Sequence, residues 1–176
     1  MNKKKAFLLA MLIALLLAVS VGGTIAWLTD NSGPVTNTFT PAQVDTEIEE
    51  VFAGNAKTSI KIRNVSNVKN IPAYIRVAVV GNWCDASGNI VEPWTPSFTL
   101  GAGWDDGADG YYYHKEPVAV GDTTSELLGS EISGTDANKS GLRLIVTVIQ
   151  QGIQSEPISV VQGKWGVTVS GTTISK

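Results

Sequence analysis

The sequence holds a single cysteine, Cys84, and a single histidine, His114, in 176 residues. One cysteine excludes an internal disulfide and any zinc site built on thiolates. One histidine excludes a His-Glu-x-x-His metalloprotease, which needs two histidines a helical turn apart beside a glutamate base. No Gly-x-Ser-x-Gly elbow marks a serine nucleophile. There is no phosphate-cradling glycine loop and no basic-aromatic surface for nucleic acid. A Cys84–His114 thiol pair exists only on paper, because Cys84 follows Trp83 near a strand end and reads as a small packed residue. His114, between Tyr111-Tyr112-Tyr113 and Lys115-Glu116, reads as an ordinary strand residue. The expectation is a protein that is not an enzyme and carries no cofactor.

Charge is also sparse, at 16% of residues, while 43% are hydrophobic. That balance excludes a disordered chain. Of 13 basic residues, Lys3, Lys4 and Lys5 stand at the start; without them 10 remain against 16 acidic ones, a net of −6. A domain that acidic suits neither nucleic acid nor an anionic membrane surface, both of which reward a basic patch.

The three lysines open a leader. An uncharged stretch follows from Ala6 to Leu28, and its Leu/Ala/Ile-rich part has the length of a signal-peptide core. The whole stretch is also long enough to span a bilayer. Gly22, Gly23, Thr24 and Thr29 in its second half, with no basic cluster after it, favour a cleaved signal over a retained anchor. Small residues for a signal peptidase occur at Ala18-Val19-Ser20 and at Thr24-Ile25-Ala26. No Leu-Pro-x-Thr-Gly signal points to cell-wall attachment. The expected organisation is a signal peptide over 1–26, an N-terminal segment over 27–40 and one domain over 41–176.

In that domain the apolar residues recur with the period of two that marks half-buried strands. Val44, Thr46 and Ile48 alternate with acids, Ile60 and Ile62 with Lys61 and Arg63, and Ile75, Val77 and Val79 with Tyr74, Arg76 and Ala78. Leu142 to Ile149 is almost continuously apolar and predicts a central strand covered on both faces. Trp165, Val167 and Val169 alternate as a further strand. Turn residues cluster between these runs, as at Ala86-Ser87-Gly88-Asn89. The pattern predicts an all-β fold, an antiparallel two-sheet sandwich of jelly-roll type with at most one or two short helices. One helix is expected over Ile158 to Gln162, with Ser155 as cap and Gly163 as stop.

Two ligand readings follow. Asp105, Asp109 and Glu116 occupy positions one, five and twelve of a calcium-type loop, with Gly110 at position six. The third position is Gly107 and the flanks are strand-like, so a solvated hairpin turn is the favoured reading and no metal site is expected. Trp83, Trp94 and Trp104 suit either a glycan platform or core anchors, the second being expected in a sandwich of this size. Segment 27–40 carries apolar Trp27, Leu28, Val35 and Phe39 among threonines, broken at Gly33-Pro34. It can serve as an ordinary first strand or be added to a neighbour's sheet edge.

Gly22-Gly23-Thr24-Ile25-Ala26-Trp27-Leu28-Thr29-Asp30, with Asn37-Thr38-Phe39-Thr40, resembles the start of the TasA/camelysin family of exported Gram-positive proteins. The likeness returns at Asn64-Val65-Ser66-Asn67, Ile71-Pro72-Ala73-Tyr74-Ile75-Arg76-Val77, Asp109-Gly110-Tyr111-Tyr112-Tyr113 and Lys164-Trp165-Gly166-Val167. The resemblance implies cleavage by a dedicated ER-type signal peptidase between Ala26 and Trp27, so that only the precursor is held in a membrane. It implies secretion and head-to-tail self-assembly into biofilm-matrix fibres, in which 27–40 is the strand donated to the next subunit. The sequence is compatible both with a homopolymer and with a fibre that needs a minor matrix protein or initiator. The family also includes proteins described as proteases, an activity the lone His114 argues against. An extracellular binding module for a glycan or protein is the alternative reading.

Overall fold

The computed structural model describes residues 3–5, 7, 11, 43–67 and 69–176. The chain divides into two units, Met1–Phe39 and Thr40–Lys176. In the first, Lys3–Lys5, Phe7 and Met11 are helical. The sites expected at Ala26, Trp27, Leu28, Val35 and Phe39 lie outside the described residues. No helix among the described residues is long and apolar enough to cross a membrane.

The second unit is an all-β antiparallel sandwich. One sheet comprises β1 (Thr46–Ala53), β2 (Ala56–Asn64) and the short β7 (Ile132–Ser133), in the order β1-β2-β7. β1 and β2 form a hairpin over Gly54-Asn55, with Gly54 at φ 58°, the left-handed conformation that a tight hairpin turn requires. The other sheet is built on β3 (Ala73–Cys84). Along one side β3 pairs residue for residue with β8 (Arg143–Gln154). Its other side is shared by β6 (Tyr112–His114) and β4 (Ile90–Trp94), with β5 (Trp104–Asp106) beyond β6.

The alternation in β2 and β3 is what makes two layers. Ile60 and Ile62 from one sheet and Ile75, Val77 and Val79 from the other belong to one buried cluster, with Trp104, Leu127 and Val148. The opposite face of β3 carries Tyr74, Arg76 and Ala78. Its first half is covered by helix α1 (Ile158–Trp165) and the hairpin of β9 (Thr168–Ser170) and β10 (Thr173–Ser175), which bury Tyr74, Tyr113, Val161, Trp165 and Ile174 together.

Four sequence expectations are corrected. β8 is not a central strand: among the described residues it pairs only with β3, and Ile145 and Ile149 on its outer face are 41% and 45% exposed. A continuous apolar run reports low polarity, not which neighbours flank a strand. The helix does not stop at Gly163. It runs to Trp165 and ends at Gly166, φ 62°, whose N–H donates to the Gln162 carbonyl; Val161 and Trp165, one turn apart, anchor it in the second cluster. For the same reason Trp165 closes a helix and does not belong to a strand with Val167 and Val169. The helix begins after Pro157 with no side-chain cap, so Ser155 does not cap it.

Candidate functional site

The two flanks of the sandwich differ. On one, the stretch 118–128 runs along β2: the Thr124 N–H donates to the Ile62 carbonyl at 2.9 Å and the Leu127 N–H to the Ile60 carbonyl at 3.0 Å. On the other, β1 and β8 face each other across the layers, and among the described residues neither has a strand on its second edge. Their approach is closest where the Gln150 Nε2 donates to the Thr46 carbonyl at 2.9 Å. The Gln150 Oε1 beside it is buried without a partner. Towards the middle of β8 the edges part into a groove of about 500 Å3 lined by Ile48, Glu50, Val146, Thr147 and Val148. Glu49 and Glu50 of β1 are paired with Arg63 at 2.5 Å and Lys57 at 2.6 Å. From Leu144 to Gln154, β8 carries no charge at all.

At its Gly152–Gln154 end the same edge opens into a cleft of about 610 Å3 between Val44 and helix α1. Arg76, on the outer face of β3, forms its floor. The register places it beside Gln151 of β8 and Tyr113 of β6. Its Nε and Nη2 donate to the Gln151 Oε1 at 2.9 and 2.7 Å, and its Nη1 to the Tyr113 hydroxyl at 3.1 Å. The guanidinium lies 4.0 Å from the Tyr111 ring centre and 4.9 Å from that of Trp165, close enough for cation–π attraction. Tyr113 in turn donates to Asp109 at 2.7 Å. Burial first, then that bond, raises the Tyr113 pKa.

The residues named from the sequence fall in separate places. Asp105 pairs with Lys115 at 2.9 Å. Asp109 takes the Tyr113 hydroxyl and Lys176, the latter at 3.1 Å. Burial pushes the Asp109 carboxyl up, but the Tyr113 and Lys176 donors outweigh it and hold the group below the usual range. Glu116 accepts from the Thr173 and Thr172 hydroxyls, which lower its pKa. Between Asp106 and Tyr112 the chain turns from β5 into β6, with Ala108 and Gly110 at positive φ. No group of three acidic, histidine or cysteine side chains among the described residues is placed to hold a metal.

His114 and Cys84 are not brought together. Cys84 stands eight residues along β3 from Arg76, the partner of Tyr113, a span of about 26 Å. Both His114 nitrogens are occupied: Nδ1 meets the Glu116 carbonyl at 2.7 Å and Nε2 accepts the Ser125 N–H at 3.3 Å. Trp83 and Trp104 are buried, and Trp94 packs half-buried against the core; Trp83 and Trp94 also line a small pocket of about 220 Å3 with Ser97 and Asp136.

Sequence reasoning missed Arg76, Lys164 and the uncharged β8 edge as features of one place. Only the outward position of Arg76, between Tyr74 and Ala78 on a strand, hinted at the first. The second unit is thus an all-β sandwich closed on one flank and open on the other, the kind of surface to which an extended segment can be added. No protein-family model, curated protein or solved structure matches the chain.

Proposed function

We propose that the protein is an exported structural subunit that polymerises into extracellular biofilm-matrix fibres, its segment 27–40 completing the jelly-roll-like sandwich of the next copy. The observation that carries this reading is the open flank. The side of β8 turned away from β3 has no strand partner among the described residues, and only at its start is an N–H taken, that of Leu144 by the Gly134 carbonyl. The groove between it and β1, where Ile48, Val146 and Val148 stand beside Glu50 and Thr147, can take alternate side chains of an added strand. Val35 and Phe39, spaced by an even number of residues, point to one face of such a strand; Thr36, Thr38 and Thr40 point to the other. A head-to-tail contact of this kind does not close on itself, so it builds a filament. The charged start and apolar core of the leader, together with the family likeness around Ala26-Trp27, support secretion after cleavage by a dedicated signal peptidase.

The test is negative-stain electron microscopy of the protein beginning at Trp27 beside one beginning at Pro41. Fibres from the first and monomers from the second are expected. Monomers from both, at any concentration that keeps the protein in solution, would overturn the reading.

A further inference from the structure

The cleft at the Gly152–Gln154 end of β8 has a chemistry of its own. It is lined by two cations, Arg76 and Lys164, and by no carboxylate. Among the described residues neither cation takes part in an ion pair. Of the five N–H groups of a guanidinium, Arg76 spends three on neutral partners, Gln151 and Tyr113. The two left over, one on each terminal nitrogen, have no partner among the described residues and can serve an anion. The Tyr111 and Trp165 rings hold the guanidinium in place, so little side-chain freedom is lost when an anion arrives. Arg76 reaches a carboxylate, Asp109, only through the Tyr113 hydroxyl, and Asp109 is shared with Lys176, so this half-buried arginine at the end of an otherwise uncharged strand edge can take a further negative charge.

Segment 27–40 contains one ionisable side chain, Asp30. Among the described residues every pairing of named strands is antiparallel, the isolated Gln43–Asn70 bridge alone being parallel, and a strand added antiparallel to β8 starts at its Gln154 end, where the cations are. The parity also agrees. In a strand that stays extended through Gly33-Pro34, Asp30 and Val35, an odd number of residues apart, face opposite sides, as do Gln151 on the outer face of β8 and Val146 on the inner. One register therefore sets Asp30 beside Gln151 and Arg76 while Val35 enters the core beside Val146. We infer that the Arg76–Lys164 cleft is a carboxylate-binding subsite that takes Asp30 of a second copy, fixing the direction and register of the donated segment. The inference rests on the strand-addition reading above.

The experiment uses the chain beginning at Pro41 as acceptor, since both hydrophobic clusters lie wholly within Thr40–Lys176. The probes are a synthetic peptide of residues 27–40 and its Asp30→Asn version, followed by titration calorimetry at low and high salt. The parent peptide should bind more tightly by at least about tenfold, the loss expected for a charge-assisted hydrogen bond. That advantage should shrink in high salt. On a Lys164→Gln acceptor, where the substituted side chain is exposed, and on an Arg76→Gln acceptor, the two peptides should bind more nearly alike. Equal binding of both peptides to the parent acceptor would reject the carboxylate subsite and leave strand addition standing. Binding of neither peptide would reject the inference as well; whether the wider reading falls with it is decided separately by fibres, or their absence, from the chain beginning at Trp27.

Discussion

Replacing Glu126 by alanine tests whether a side chain seals the closed flank of the sandwich. β7 pairs with β2 only at Ala56 and Lys57, so beyond Ser59 the edge of β2 is met by irregular backbone. There Glu126 stands in for a strand. Its Oε1 accepts the Ile60 N–H at 2.6 Å and its Oε2 accepts the Ser59 hydroxyl at 2.5 Å. Ile60 is completely buried, so truncation leaves its N–H without a partner in an apolar core. A lost hydrogen bond to a charged group, with the buried donor then orphaned, costs about 2–3 kcal/mol. Glu126→Gln keeps an oxygen for Ile60 and can donate to Ser59, and should cost only about 1 kcal/mol. In a cycle with Ser59→Ala, the double variant should lose less than the sum of the singles by about 1 kcal/mol, because both changes remove the same bond. Urea unfolding followed by tryptophan fluorescence reads these values as shifts in midpoint at constant slope. A Glu126→Ala midpoint indistinguishable from the parent, or a glutamine variant as damaged as the alanine one, would refute the account.

Two further predictions concern groups singled out from the sequence. Burial lowers the His114 pKa, against a weaker upward pull from the Glu116 carbonyl and carboxylate, so the unfolded chain takes up this proton at higher pH than the folded one. Its contribution to stability is therefore complete above the ordinary histidine value of about 6.5 and is lost as pH falls from there through the folded value. Melting temperatures between about pH 8 and pH 5 should fall more steeply for the parent than for His114→Gln; parallel curves would contradict this. Calcium should leave the melting temperature unchanged, since Asp105, Asp109 and Glu116 are each engaged by different protein donors. A calcium-dependent rise that Asp109→Asn abolishes would overturn that reading.

The layers of the sandwich were legible because one face of each strand is buried and the other is not. Ile60/Ile62 and Ile75/Val77/Val79 mark their cores by period alone. Position within a sheet was not legible, because it depends on pairing between distant segments. Leu144 to Ile149 has the same composition whether it has one neighbour or two. The helix was found but its end was misjudged: Gly163 meets nothing where a Cβ would stand and is tolerated inside the last turn, whereas Gly166 takes the left-handed conformation that stops it. The Arg76 cluster was invisible because it joins β3, β6, β8 and α1, whose contributions are each unremarkable in isolation.

The contrast between flanks bears on what the molecule is built to do. Exposed sheet edges invite pairing with other chains, and monomeric proteins commonly blunt them with charge, proline, bulges or a covering segment. β1 follows that rule: it carries Glu47, Glu49 and Glu50 and a register shift between Val51 and Phe52. β2 is covered by the stretch that includes Glu126. β8 carries no charge, proline or bulge from Leu144 to Gln154 and is covered at its start, where the Leu144 N–H donates to the Gly134 carbonyl at 3.0 Å; the outer face beside it is apolar, with Val80 exposed next to Ile145 and Ile149. A less protected edge of that length beside two protected ones is a template for pairing with another chain, and that liability is removed if an extended segment pairs with it. Such a segment brings alternate residues to both faces, filling the groove over Val146 and Val148 on one side and screening Ile145 and Ile149 on the other. On the strand-addition proposal, the edge that makes a lone copy prone to association would also drive ordered addition, and the Arg76–Lys164 charge at one end would supply the register that a plain apolar edge lacks.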